Sequence, residues 1–277
     1  MSIITISRGS LHASTEVAEM VATELGIPCV SREVVVAAAQ AAGINELKIT
    51  EQLDEKPTRL FARYFKEREI YLWFLRSELY QYASRGGFVY HGHGGHLLLS
   101  DISCLLRIQV VAPIDNRVRS IMKSKQYDET AAKKYVNQID SWRNKWMRHL
   151  YDVDWYDPSQ FDQIFNIDKI NTKDAGRLII KTSQLACFRE NENTKEEIEN
   201  ALLIARTKAA LAKSGELFTS LLEITSLAGT LSIAGKTRSA KTRDKIYETV
   251  QEALAGAPFE RELVIAKDEI SWRDEAV

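Results

Sequence analysis

The stretch Ser2-Ile3-Ile4-Thr5-Ile6-Ser7-Arg8-Gly9-Ser10-Leu11-His12-Ala13-Ser14-Thr15-Glu16-Val17 decides the fold. Residues 2–7 are short and rich in β-branched side chains, the composition of a buried strand. A turn from Gly9 to Ser14 leads into text with Val17, Met20, Val21 and Leu25 at helical spacing. Gly26 stops that helix, and Ile27-Pro28-Cys29-Val30 starts the next extended piece. Strand, turn, helix and strand in this order open an α/β domain with a parallel sheet.

The same turn has the layout of an anion site, because a helix N-terminus presents unpaired N–H groups and the positive end of its dipole. The phosphate-loop pattern GxxxxGK[ST], applied from Gly9, places Ser14, Thr15 and Glu16 at the second glycine, the lysine and the hydroxyl residue. The pattern therefore fails, and the first turn of any α/β domain fits the residues equally well.

Farther along, helical text runs from about Arg32 to Gln40, followed by a charged stretch around Asp54-Glu55-Lys56-Pro57. An aromatic helix carrying Tyr71, Trp73, Phe74, Leu75, Leu79 and Tyr80 runs toward Ser84 and reads as core or as a dimer surface. Phe88-Val89-Tyr90 is a short strand entering His91-Gly92-His93-Gly94-Gly95-His96, and Leu105 to Val111 is another strand. Asp115 to Leu150 reads as polar helix, Phe161 to Asn166 as a last strand, and Thr172 to Leu185 as a closing helix with Thr172 as its cap. His91, His93 and His96 could ligate a metal, but no cysteine or carboxylate cluster accompanies them. A substrate-side loop beside a glycine turn is the favoured reading.

Composition bounds the rest. A chain of 277 residues, 45% hydrophobic and 27% charged, carries one or two globular domains. A net charge of −1 supplies no global field toward nucleic acid or anionic membrane. The three cysteines, Cys29, Cys104 and Cys187, are widely spaced and suit a reducing compartment. With neither a signal-peptide pattern nor an 18-residue apolar run, the expected location is the cytoplasm, with no transmembrane segment.

Several stretches together resemble the cytidylate kinase-like family. They are Ile4-Thr5-Ile6-Ser7-Arg8, Glu16-Val17-Ala18, Leu25-Gly26-Ile27-Pro28, Ser31-Arg32-Glu33-Val34-Val35 and Val89-Tyr90-His91-Gly92-His93-Gly94. Leu106 to Pro113 with Arg117, Asp140-Ser141-Trp142-Arg143, Asp154 to Pro158 and Phe161 to Asp168 continue the likeness in order. The resemblance implies a P-loop kinase-like parallel sheet flanked by helices, with ATP and Mg2+ as cofactors. It implies ATP phosphates on Arg8, Gly9, Ser10, His12, Ser14 and Thr15, and an acceptor nucleotide near Arg32, Glu33, Gly92 and His93. Arg143 matches the family's lid arginine and Arg148 follows it, so these two are the catalytic candidates. Arginine suits phosphoryl transfer because its fork pairs phosphate oxygens in two places.

Three departures fall on the functional loops. Leu11-His12-Ala13-Ser14 replaces a GSGG-type loop, Ser31 replaces an aspartate, and His93 replaces an arginine. Either the substrate has changed, or catalysis is lost and binding or regulation remains.

The polar stretch Glu190-Asn191-Glu192-Asn193 reads as a hinge, which gives a domain over 1–190 and a second over 195–268. The second reads helix (Lys195 to Ala212), strand (Phe218 to Thr225), strand (Leu231 to Gly235), helix (Ala240 to Leu254) and strand (Arg261 to Ile265). Ala228 to Lys236 and Phe259 to Ile265 resemble the hairpin and last strand of the BON family. That resemblance implies an α+β (αββαβ) module that binds a ligand or mediates assembly. The expected partners are a nucleotide or small molecule, no nucleic acid, and, from the aromatic helix, a homo-oligomer.

Overall fold

The computed structural model describes residues 2–7, 12–43, 65–92, 94–151 and 153–265. The expected phosphate-loop residues Arg8, Gly9, Ser10 and Leu11, and the substrate-loop residue His93, lie outside the described residues.

Five parallel strands form the first sheet: β1 (Ile3–Ser7), β2 (Cys29–Val30), β3 (Phe88–Gly92), β4 (Leu106–Val111) and β5 (Gln163–Asn166), in the order β2-β3-β1-β4-β5. Every residue of β1 and β3 is buried, so these strands read as near-continuous apolar text rather than alternating text. Ile4 and Ile6 face α1 (Ala13–Leu25) and α7 (Thr172–Ser183), packing with Val17, Ala18, Val21 and Ile179. Ile3, Phe88 and Tyr90 face the other way, onto α2 (Arg32–Ala42), α3 (Phe65–Ala83) and α4 (Gly95–Leu98). The α/β architecture expected from the opening residues is present.

The text read as continuous helix from Asp115 to Leu150 is in fact two helices, α5 (Ile114–Lys125) and α6 (Glu129–Tyr151). Gln126 ends α5 in the left-handed region at φ 56°, and Asp128 Oδ1 accepts a 2.7 Å bond from Ala131 N to start α6. Val118, Ile121, Ala132 and Val136 give this hairpin its own small core. The cap of α7 is also corrected: Asn171 Oδ1 accepts from Asp174 N, while Thr172 donates its hydroxyl to Glu16 Oε1 at 2.8 Å. Thr172 thus ties α7 to the first turn of α1.

Where composition suggested a hinge, the chain begins a helix, α8 (Glu192–Ser214). Asn191 Oδ1 accepts from Thr194 N while Thr194 Oγ1 accepts from Asn191 N, a reciprocal cap. Ile198, Ala201, Leu202 and Ala205 of this helix pack on α3, and Leu211 enters a separate C-terminal core. Lys208 lies over the Trp73 ring at 4.6 Å, Lys213 lies over Phe74 at 5.7 Å, and Glu197 accepts two bonds from Ser103. Trp73 and Phe74 of the aromatic run thus meet this chain's own α8.

Beyond α8 come β6 (Leu221–Leu227), β7 (Thr230–Thr237), α9 (Ala240–Ala253) and β8 (Phe259–Ile265), which completes the expected αββαβ order. The second sheet runs β6-β7-β8, with the first pair antiparallel and the second parallel. Its hairpin turn puts Ala228 at φ 49° and Gly229 at φ 75°, the conformation that asparagine-glycine prefers. Replacing Ala228 by Asn should raise stability by up to about 1 kcal/mol, since alanine is disfavoured in that region. Denaturant melts of the two proteins would check it. Among the described residues no helix is long and apolar enough to cross a membrane.

Candidate functional site

The connection leaving β1 leads to α1 on one face of the sheet, and the connection leaving β3 leads to α4 on the other. These strands are neighbours, and Ser7 opposite Gly92 is their last pair. In parallel-sheet folds, the carboxyl ends of neighbouring strands that lead to helices on opposite faces are the usual ligand position. The 13-residue α1 begins at this end of β1 and aims its N-terminal dipole there.

The described residues of the expected phosphate loop divide. His12 is exposed and sits at the N-cap position without a side-chain cap bond. Ser14 is fully buried and turns inward, with its Oγ 3.3 Å from His91 Nε2. Thr15 is half-buried at the position where a phosphate loop carries lysine. On the acceptor side, Glu33 Oε1 accepts from Ser31 N at 2.8 Å, so its carboxylate folds back over the start of α2. Arg32 opens α2, and its side chain lies outside the described part.

Gly92 and Gly95 make room for one ring. A Cβ on Gly92 would lie 2.3 Å from the end of the Tyr90 ring, and one on Gly95 would lie 2.4 Å from the same ring. Tyr90 therefore extends along its strand toward the carboxyl end. Thr5 stands opposite Tyr90 in register, and its methyl would lie 3.1 Å from the Gly95 Cβ. Tyr151, the last residue of α6, comes within 3.6 Å of the corresponding position on Gly94.

The two catalytic candidates part company. Arg143 is 7% exposed, on the α6 face that also carries buried Met147 and, a turn further on, Tyr151. Its guanidinium carbon is 6.0 Å from the Trp155 ring centre. Arg148 is exposed and pairs with Asp154 at 2.5 Å. Beside Arg143, Arg117 of α5 holds Asp140 of α6 by two bonds of 2.7 and 2.6 Å. The phenol of Tyr156 is pushed up by burial and then by Asp140, with Arg117 and Arg143 acting the other way.

His91 and His96 do not converge. His91 faces Ser14 on the α1 side of the sheet. His96 on α4 bonds Gln160 Oε1 at 3.0 Å and stacks on Phe161 with ring centres 4.7 Å apart. Burial pushes His96 down to about 4, helped by the Arg107 charge and opposed by the Gln160 bond. Between pH 6.5 and about 4 the unfolded chain binds the proton that the folded chain refuses, so stability should fall as pH falls through that window. The loss should amount to at most about 3 kcal/mol, and His96→Gln should flatten this part of the pH–stability profile in urea melts.

Among the described residues, no three His, Cys, Asp or Glu side chains gather as a metal cage. Mg2+ in phosphoryl transfer is commonly held by one or two carboxylates plus the substrate's own phosphates, so a cage is not required. The first turn of α1 fits an anionic phosphate through its backbone amides.

The five-stranded parallel sheet with helices on both faces is a kinase-like α/β fold. The sequence model of the Cytidylate kinase-like family matches residues 3–169, and the chain belongs to that family. The match ends before α7, so the C-terminal αββαβ unit lies outside it. Among solved structures, the chain is similar to an uncharacterized protein from Eubacterium ventriosum at 19% identity, covering 65% of this chain and 97% of that one, with a TM-score of 0.47. It is also similar to shikimate kinase from Bacteroides thetaiotaomicron at 12% identity, over 67% and 100% of the two chains, with a TM-score of 0.37. No curated protein matches the chain.

Proposed function

We propose that the chain binds ATP with its phosphates at the start of α1 and transfers a phosphoryl group, slowly, to a nucleoside monophosphate or related small acceptor at the carboxyl ends of β1 and β3. The observation that carries this reading is the switch point at Ser7 and Gly92, opening onto the N-terminus of α1 in a chain of this family. Bound Mg2+ would neutralise charge on the transferring phosphates, which is the chemistry the metal supplies. The chain's own part is positioning: α1 amides toward phosphate, and Arg143, rather than Arg148, on the inward face of α6. Transfer is slow because the loop lacks glycines at 11–14 and carries Thr15 in place of a lysine.

A second reading, binding without turnover, is favoured by that same loop and by the inward-turned Ser14. In it the αββαβ unit, over 195–268, is a BON-like ligand or assembly module beside a kinase-like domain over 1–190. ADP release measured with Mg-ATP and a panel of nucleoside monophosphates separates the two. Turnover with any acceptor supports transfer, whereas ATP binding with no acceptor-dependent ADP leaves only the second reading.

A further inference from the structure

The second sheet leaves one strand open on its outer side. β8 ends the order β6-β7-β8, so a seven-residue edge faces no neighbouring strand. Leu263 N donates to the Tyr247 hydroxyl of α9 at 3.2 Å, so this amide points outward rather than to β7. Amides alternate sides along a strand, and the Arg261 N–H therefore points outward as well. An open groove of about 460 Å³ lies between this strand and α9, lined by Asp244, Tyr247, Glu248, Gln251, Glu252 and Arg261. Arg261 is fixed to its wall: it donates to Gln251 Oε1 at 3.1 Å and lies 5.3 and 4.6 Å from the Tyr247 and Phe259 ring centres. Asp244 is paired with Arg243 at 2.9 Å. Glu248 and Glu252 are exposed and have no salt-bridge partner among the described residues. Like charges four apart on a helix repel and destabilise it, and a bound cation relieves that repulsion.

We infer that this groove binds an extended peptide with lysine or arginine at alternate positions, added as a fourth strand beside β8 with its basic side chains on Glu248 and Glu252. The backbone edge supplies the hydrogen bonds of strand addition, and the carboxylates select the side chains. Their spacings match. α9 links β7 to the parallel β8, so it runs roughly along the strands. Alternate residues of a strand lie about 6.8 Å apart and residues four apart on a helix about 6 Å apart, so two basic side chains of one strand face meet both carboxylates. The excess of carboxylates repels nucleic acid and anionic membrane. A second copy paired edge to edge would set these carboxylates against themselves, and this chain's own residues 266–277 are net acidic. The αββαβ unit lies outside the family match, so the inference does not depend on phosphoryl transfer. It rests on the second reading only in treating that unit as a binding module, and it gives the module a ligand chemistry.

The test titrates the full chain at low salt with the blocked peptide KVKVKVK, its fully N-methylated form, the acidic peptide EVEVEVE and spermidine, and follows amide hydrogen exchange in β8. KVKVKVK should bind, slow exchange at the outward amides of β8, and lose affinity at least about tenfold when its backbone is N-methylated. Glu248→Gln combined with Glu252→Gln should weaken it about fivefold while leaving Tm unchanged or higher, since the repulsion along α9 goes too. Glu260→Gln, on the opposite face of β8 from Arg261, should change affinity little. No binding of KVKVKVK at millimolar concentration, equal binding of EVEVEVE, or equal binding of the N-methylated peptide or spermidine would overturn the inference. Unchanged exchange in β8, or a double variant that binds as the parent does, would overturn it too. ATP titrated into the same samples keeps the proposals apart: ATP binding without the peptide sinks only this inference, and peptide binding without ATP sinks only the nucleotide site.

Discussion

Gly235→Ala should cost at least about 3 kcal/mol and disrupt the C-terminal sheet, because two separate penalties meet at that residue. Gly235 stands in β7 opposite Leu222 at φ 131°, a backbone region that side chains rarely enter. An added Cβ would lie 2.0 Å from the Leu221 carbonyl oxygen and 3.0 Å from its carbon, both backbone atoms of the paired strand. No rotamer relieves such a contact, so β6 would have to move away and lose part of its ladder. Gly229→Ala provides the control. It has a positive φ of 75° but nothing within 4 Å, so it should cost only about 1–2 kcal/mol. Urea unfolding of the three proteins measures both differences. Equal losses for the two variants would show that the tight approach of β6 to β7 is wrong.

The second large effect concerns the arginines of α6. Arg143→Ala should lower acceptor-dependent ADP release about 10³-fold, the scale on which an arginine serves a phosphoryl-transfer transition state. Arg148→Ala should lower it by no more than about threefold, because its partner Asp154 lies on the solvent side and exposed pairs contribute little. Arg143→Lys keeps the charge and loses the fork, so partial recovery would assign the role to charge and none would assign it to geometry. Each assay is run below the measured Tm of the variant, because Arg143 is buried and its removal also loosens packing against Trp155. Similar losses for the two alanine variants would contradict the division that the helix faces make.

Sequence and structure agree where a local pattern carried the information. Ile4, Ile6, Val17 and Val21 announce a buried strand and a helix that packs on it, and both are there. The αββαβ order after residue 190 was legible from turn residues and apolar runs. Gln126 hid the break between α5 and α6, because a glutamine in the left-handed region leaves no glycine or proline to read. Asn171 and Thr172 are both good capping residues, and only the three-dimensional partner Glu16 decides which one caps.

The site was less legible because its parts are distant in sequence. Nothing local ties Ser14 of α1 to His91 of β3, or His96 of α4 to Gln160, although each pair meets in the fold. The double duty of α8 was equally hidden. Its apolar positions Ile198 and Leu202 serve one core and Leu211 another, so no single stripe stands out.

The central claim is that a nucleotide's phosphates sit at the start of α1. Crystals of the full chain grown with Mg2+ and a non-hydrolysable ATP analogue test it most directly. The account predicts phosphate density against the backbone amides of the first turn of α1, beside the Ser7–Gly92 end of the sheet. Phosphates bound elsewhere on the chain, or no binding at millimolar nucleotide, would contradict it.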